Sequence, residues 1–314
     1  MTATRRAVTA AGLALALSGC GRTARSPAPV RDVIAAGQPA ALLIWALARD
    51  RLLAWPRKPS PAALAVLPPQ AAALPELGNL AGHGPPADLD AVATLKPRLI
   101  LDYGDADPAH RALGARLSDR LDVEWRVIDG ALGRTPQALR EAGDLLGVQS
   151  RADEIADLAH RTLDAWRAAP SGPSFYYARG ADGLETAFHG ALAAEVLEGA
   201  GWTNVAVGGQ GVGRIVSEQV LTWDPEVIVT LDAALADLIA ASPDWRRRRD
   251  GGRRRLLLLP STPFGWIDRP PSLNRLLGCA WLADPARAQM RLARLHHALY
   301  GRTAAVLPQP KWIT

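Results

Sequence analysis

One sequence pattern occurs twice in this chain, at residues 89–104 and at residues 217–232. In each copy an acidic residue stands at the start of a short helical segment, a proline ends that segment, and apolar residues follow. Proline stops a helix because it has no backbone N–H and its ring clashes with the preceding turn. Pro97 and Pro225 align without a gap between the copies. One structural unit is therefore used twice, which predicts two similar lobes.

The apolar runs after the two prolines predict parallel strands. Residues 99–101 and 227–229 are continuously apolar, as expected for strands of a sheet that is covered by helices on both faces. The predicted fold class is therefore α/β, with two lobes that face each other. A cleft between such lobes is a usual site for a small ligand.

A long helix is predicted between the two repeats, because apolar residues from Ile155 to Trp166 recur at three- and four-residue steps. This helix would join the lobes as a rigid connector. The predicted organisation is a signal segment at 1–19, a tether at 20–30, a first lobe at 31–148, the connecting helix at 149–169 and a second lobe at 170–314.

The N-terminus has the pattern of an export signal. Arg5 and Arg6 precede an apolar run at residues 7–17, which is shorter than the roughly 20 residues that a membrane-spanning helix needs. Cys20 follows Leu-Ser-Gly, which resembles the lipobox of bacterial lipoproteins, where the cysteine is lipidated. We therefore expect a periplasmic protein that is anchored to the membrane through Cys20. The export route, Sec or twin-arginine, stays open.

The remaining composition excludes several kinds of chemistry. With only two cysteines in the chain, lipidation of Cys20 leaves Cys279 alone, and one thiol cannot hold an iron–sulfur cluster or a structural zinc ion. The glycine-rich segment 208–213 is not followed by Lys-Ser/Thr and has no strand directly before it. No nucleophile elbow is present. These patterns predict a protein that is not an enzyme and that has no cofactor.

Arginines are concentrated at residues 246–249 and 253–255, with Asp-Gly-Gly between the two groups. The main interpretation is a solvated turn before a strand, and an anionic lipid surface is the alternative partner. Nucleic acid is not expected, because no aromatic residues alternate with the arginines.

Loops that follow predicted strands, together with one glycine-rich loop, supply the candidate ligand-binding residues. Arginine offers a planar fork for a carboxylate or an oxyanion, and tyrosine offers a phenol. Strand alternation predicts that at most one of Tyr176 and Tyr177 reaches the cleft. No pair of histidines has the spacing of a zinc or manganese site, so no direct metal ligand is assigned. The candidate residues are Tyr103, Tyr176, Arg179, Arg214, Trp266, Arg269 and His83.

The repeat, the connecting helix, the segment 176–186 and the segment 265–276 together resemble the class III substrate-binding proteins of ABC importers. That group serves ferric siderophores, haem, cobalamin and some metal oxyanions. The resemblance covers residues 31 to about 300. It implies two Rossmann-like lobes joined by a single long α-helix, with the ligand held in a cleft between them.

The resemblance also implies two docking acids, one on each lobe, for the two subunits of an ABC permease dimer. By motif these acids are Asp90 and Glu218, which the repeat makes equivalent. Asp90 stands where the family usually has glutamate. The alternative is that both are ordinary carboxylates at helix starts, favoured by the helix dipole.

We therefore expect a lipoprotein that captures a small anionic metal complex, of the ferric siderophore type, and delivers it to an ABC permease. A molybdate- or tungstate-type oxyanion is the alternative ligand. A sensor lipoprotein that contacts no permease and a nitrogenase-like oxidoreductase are the alternative functions, although the latter would need cysteine ligands.

Overall fold

A computed structural model describes residues 31–302 and 307–313. The predicted signal segment, Cys20 and the tether lie outside the described residues, so these assignments stay predictions. Within the described part of the chain, no helix combines the length and the apolar character needed to cross a bilayer.

The first lobe is built on a three-stranded parallel sheet in the order β1-β2-β3. Its strands are β1 (Val33–Ala35), β2 (Leu99–Gly104) and β3 (Glu124–Asp129). The helices of this part of the chain are α1 (Gln38–Ala48), α2 (Pro61–Val66), α3 (Gln70–Ala73), α4 (Leu89–Thr94), α5 (Pro108–Leu121) and α6 (Thr135–Leu146). The helix α7 (Gln149–Arg167) follows, and it is the longest helix in the described residues.

The second lobe is built on a five-stranded sheet in the order β10-β9-β8-β4-β6. All of its pairings are parallel except that of β10 with β9, and a separate antiparallel ribbon is formed by β5 and β7. The strands are β4 (Ser174–Tyr177), β5 (Glu185–Ala187), β6 (Thr203–Asn204), β7 (Val212–Arg214), β8 (Val227–Thr230), β9 (Arg255–Leu258) and β10 (Lys311–Ile313). The helices are α8 (Glu195–Glu198), α9 (Ser217–Trp223), α10 (Ala233–Ala241), α11 (Pro243–Arg246), α12 (Arg275–Ala283) and α13 (Ala288–Tyr300).

The two copies of the sequence repeat have the same backbone. In each copy a short helix, α4 or α9, leads through the proline into a buried parallel strand, β2 or β8. Lys96 and Asp224, the residues before the prolines, have φ values of 46° and 45°. Both are in the left-handed region, which is uncommon for residues other than glycine. The repeat therefore describes one helix-proline-strand unit that the chain uses in each lobe.

The largest hydrophobic core is continuous between the lobes. It contains Trp45 and Leu101 of the first lobe together with Tyr177 and Val229 of the second. The helix α7 packs against both α6 and α12, and α13 packs against α1. Since these contacts bury side chains of both lobes in one core, a wide hinge motion would expose apolar surface, and the fold favours modest closure.

A buried ionic network also joins the lobes. The Arg275 guanidinium, which is fully buried, contacts the Glu195 carboxylate at 2.6 Å and donates to the backbone oxygen of Gly130. The same Glu195 carboxylate accepts the backbone N–H of Leu132 at 3.0 Å. Gly130 and Leu132 follow β3 of the first lobe, whereas Glu195 and Arg275 begin α8 and α12 of the second. The Arg275 network therefore fixes how the two lobes meet.

Replacing Arg275 tests this role. Arg275→Met keeps much of the side-chain volume but leaves Glu195 without its cation and Gly130 without its donor, so we expect the free energy of unfolding to fall by about 3 kcal/mol. Urea denaturation measures the loss. Arg161→Met, at an exposed position of α7, is the control and should change stability by less than about 0.5 kcal/mol. Equal effects of the two substitutions would contradict the assignment.

Candidate functional site

The carboxyl ends of the parallel strands meet at the contact between the lobes. Pro39 follows β1, and its backbone oxygen accepts the Ser272 hydroxyl of the second lobe at 2.7 Å. Gly130 follows β3 and is bound by Arg275 of the second lobe. In open α/β sheets, ligands bind beyond the carboxyl ends of the strands. The loops around these contacts are therefore the candidate site.

In the first lobe, one loop lies over the end of β1. The backbone N–H groups of Leu80 and Ala81 both donate to the oxygen of Ala36, at 2.8 and 3.0 Å. This loop carries His83, which is exposed. The structure thus places His83 beside the start of α1, close to the residue that contacts the second lobe.

Arg57 lies against the same loop, and it was not among the residues predicted from the sequence. Its backbone N–H donates to Gln38 at the start of α1, at 3.0 Å. A Cβ on Gly84 would lie 2.8 Å from the Arg57 Nη2 and 2.5 Å from the Asn79 side chain. Gly84 has a φ of 135°, and its lack of a side chain allows Arg57 to lie against it, one residue after His83. The sequence feature that could have pointed to Arg57 is the preceding Trp55-Pro56, because the buried Trp55 side chain fixes the backbone on which Arg57 stands.

Arg269 lies on the second-lobe side of this contact, three residues before Ser272. Its guanidinium is 3.9 Å from the Asp232 carboxylate, and about a third of the side chain is exposed. The distance exceeds that of a hydrogen bond, so most N–H groups of the fork remain available to a ligand. Arg57, His83 and Arg269 are here called the donor cluster, because each stands in or next to a segment that bonds to residues 36–39.

Arg179 has a different environment. It follows β4, and its guanidinium contacts Asp268 at 3.3 Å and Glu185 at 3.1 Å, with 17 % of the side chain exposed. The Tyr177 hydroxyl donates to Asp268 at 3.1 Å, and burial together with the Asp268 charge raises the Tyr177 pKa well above its usual value. Two carboxylates compensate the Arg179 charge. Arg179 therefore fixes the positions of Asp268 and Glu185 on the second-lobe side of the site and attracts an anion only weakly. Its Nε is buried and has no hydrogen-bond partner.

Arg214 lies in the β5–β7 ribbon, opposite Glu185 in the register. It forms an ion pair with Asp182, and 64 % of its side chain is exposed. Glu185 belongs to β5 and pairs with Arg214 of β7, and its carboxylate contacts Arg179. The ribbon thus connects the two predicted arginines. The sequence analysis did not predict this ribbon.

Three predicted aromatic residues are buried: Tyr103 and Trp266 are 1 % exposed and Tyr176 is fully buried. The Tyr176 hydroxyl donates to the backbone oxygen of Gly183 at 2.7 Å. Alternation turns Tyr176 and Tyr177 to opposite faces of the sheet, and both are fully buried because helices cover both faces. Tyr176 packs inside the second lobe against Trp223 and Trp245, so the contact between the lobes does not include it.

The two predicted docking acids are exposed at corresponding positions. Asp90 is in the first turn of α4 and Glu218 in the first turn of α9. Among the described residues neither carboxylate forms an ion pair, and Glu218 accepts only the neighbouring Ser217 hydroxyl at 3.2 Å. Both charges are therefore free to meet cations of a partner.

Comparisons with known proteins identify the fold. No family model matches the chain, and no curated protein matches it significantly. A solute-binding protein of an ABC transporter from Sulfurospirillum deleyianum is 23 % identical over 89 % of this chain and 92 % of its own, with a TM-score of 0.77. The chain has the fold of a periplasmic solute-binding protein. The resemblance predicted from the sequence is thus confirmed at the level of the fold.

Two further structures with this fold have known ligands. The molybdate-binding periplasmic protein of Haemophilus influenzae is 16 % identical, with 88 % of this chain and 95 % of that chain covered and a TM-score of 0.67. The periplasmic vitamin B12-binding protein of Vibrio cholerae is 19 % identical, with 84 % and 98 % covered and a TM-score of 0.59. Similarities this low establish the solute-binding-protein fold and leave the ligand open.

The burial of Tyr176 leads to a prediction. Tyr176→Phe removes a buried hydrogen bond to Gly183, so the free energy of unfolding should fall by about 1 kcal/mol, while affinity for molybdate or a ferric siderophore stays unchanged. Urea denaturation and fluorescence titration measure the two quantities. Tyr300→Phe is the matched control, since the Tyr300 hydroxyl is buried without a hydrogen-bond partner. A lower affinity of Tyr176→Phe, but not of Tyr300→Phe, would show that the phenol contacts the ligand.

Proposed function

We propose that this chain is the solute-binding protein of an ABC importer and works outside the cytoplasm, anchored through a lipid on Cys20. It captures a small anionic metal complex at the contact between its lobes and presents it to the permease dimer. Binding and modest closure are its mechanism, without a chemical step. The solute-binding-protein fold, with matches that cover more than four fifths of this chain, supports this class of function.

The donor cluster is the observation that supports an anionic ligand. Arg57 donates to Gln38, the loop that carries His83 bonds to Ala36, and Ser272, three residues after Arg269, donates to Pro39, so all three members of the cluster stand near residues 36–39. Arginine side chains from both lobes can thus bond to one ligand, which favours the closed state only when the ligand is present.

Two ligand chemistries remain. A ferric siderophore-like chelate is the first candidate, because the donor cluster offers arginine forks to the carboxylate or catecholate oxygens that such chelates carry. A molybdate- or tungstate-type oxyanion is the second. It is favoured by the burial of Tyr103, Tyr176 and Trp266, which leaves few aromatic faces for a large chelate, and by the structural neighbour that binds molybdate.

Titration of the purified protein with a ferric siderophore, haem, cobalamin and molybdate distinguishes the candidates. We expect an anionic ligand to bind, and Arg269→Gln and Arg57→Gln each to lower its affinity at least about tenfold, the effect of one lost charge-assisted hydrogen bond. Arg120→Gln, at an exposed position of α5, is the control. An unchanged affinity of both site variants would contradict the proposed site.

Charge reversal tests delivery separately from binding. The double variant Asp90→Arg with Glu218→Arg should abolish uptake of the bound ligand by cells, because both docking charges would repel the cations of the permease. Its ligand affinity should equal that of the unmodified protein. The control is Asp119→Arg with Asp237→Arg, which reverses one exposed acid on each lobe away from α4 and α9. Loss of affinity in the first variant would instead place Asp90 or Glu218 in the ligand site.

Two other functions fit the residues less well. A sensor lipoprotein would keep the ligand site and would have no use for the docking acids, so normal uptake by the docking variant would favour it. A nitrogenase-like oxidoreductase would need thiolate ligands, whereas Cys279 is fully buried in α12 and burial raises its pKa far above the usual range.

A further inference from the structure

The arginine-rich segment of the second lobe forms an ordered hairpin. Arg247 and Arg253 pair as an antiparallel bridge, and the backbone N–H of Arg248 donates to the oxygen of Gly252 at 3.0 Å. Residues 247–253 are called the arginine hairpin below. The segment is thus an exposed turn before β9, as the composition predicted, and backbone hydrogen bonds order it.

Two arginines at the base of the hairpin hold it in place. Arg254 is 1 % exposed and donates to the Asp224 carboxylate at 2.8 Å, and Arg246 is 4 % exposed and donates to the backbone oxygen of Ile313 at 3.0 and 3.1 Å. Asp224 directly follows α9, so the hairpin packs at the carboxyl end of that helix. The base arginines thus have a structural role that leaves the tip of the hairpin exposed.

The tip displays uncompensated positive charge. Arg247, Arg249 and Arg253 are exposed, and within the described residues none of them forms an ion pair with a carboxylate. Two concavities of about 510 Å³ each lie beside the hairpin. The first of them is lined by both Leu221, which is 45 % exposed, and Arg249. On a lipid membrane, exposed arginines can bind the charged headgroups while an apolar side chain beside them contacts the acyl chains beneath.

We propose that the arginine hairpin binds the phosphate groups of anionic phospholipids at the membrane surface. This proposal rests on the proposed function, because only a docked protein would hold the hairpin near the membrane. The helix α9 carries the docking acid Glu218 at its amino end and contacts the hairpin at its carboxyl end. A helix of 7 residues is about 10 Å long. The hairpin therefore lies about 10 Å from the docking acid, and we expect docking on a membrane-embedded permease to bring it towards the lipid headgroups, whose field acts within about one Debye length.

A lipid contact of this kind would add to the predicted anchor. The first lobe has no equivalent hairpin among the described residues, because α5 is followed by β3 after only two residues, and Lys96 takes the place of Asp224. The contact would thus be on one lobe only.

Vesicle binding by the full chain tests the proposal. The chain carries Cys20→Ser, so that no lipid is attached, and is mixed with vesicles of phosphatidylcholine alone or of phosphatidylcholine with phosphatidylglycerol. The apolar N-terminal run is present in every sample, so the difference between the two vesicle types reports charge. Replacing Arg247, Arg249 and Arg253 by glutamine should lower partitioning onto the anionic vesicles about a hundredfold, or about fivefold for each arginine.

The control replaces three exposed arginines elsewhere, Arg116, Arg120 and Arg161, by glutamine and removes the same charge. It should bind almost as well as the parent protein, and high salt should abolish the difference between vesicle types. Equal losses in the two triple variants, equal binding to both vesicle types, or binding to a DNA duplex but not to vesicles would overturn the proposal. No permease or transported ligand is present, so a failure here leaves the proposed transport function untouched.

Discussion

The Arg275 network is the interaction on which the arrangement of the two lobes depends. One buried guanidinium binds a carboxylate of its own lobe and a backbone oxygen at the end of β3 in the other lobe. Burying this charge is costly unless every partner is present. The network therefore has one favourable geometry, in which the strand ends of both lobes meet. The donor cluster can act as one site only because the lobes meet in this way.

The continuous core limits how this site can work. Side chains from both sheets share one cluster, and α13 returns from the second lobe to pack on α1 of the first. A ligand that bonds to Arg57 and to Arg269 can then shift the lobes slightly without exposing the core. Asp90 and Glu218 lie on helices of different lobes, so such a shift changes their relative position, which is what the proposed docking on a permease would sense.

The sequence predicted the parts of the fold that repeat or have strong periodicity. The repeat located α4, β2, α9 and β8, and the three- and four-residue spacing located α7 to within two residues of its end. Strands β5, β7 and β10 have three residues each, too few for a pattern, and they form only because tertiary pairing partners exist. The site was harder to predict for the same reason. Arg57 lies against Gly84, and Tyr176 is buried by Trp223 and Trp245 from later in the chain. Neither contact has a local signal.

Hydrogen–deuterium exchange with and without the ligand found by titration tests whether one ligand bridges the two lobes. We expect slower exchange in the loop at 78–86 of the first lobe and in the segment 266–272 of the second, at the same ligand concentration. Protection confined to a single lobe, or protection at the arginine hairpin in place of these two segments, would contradict it.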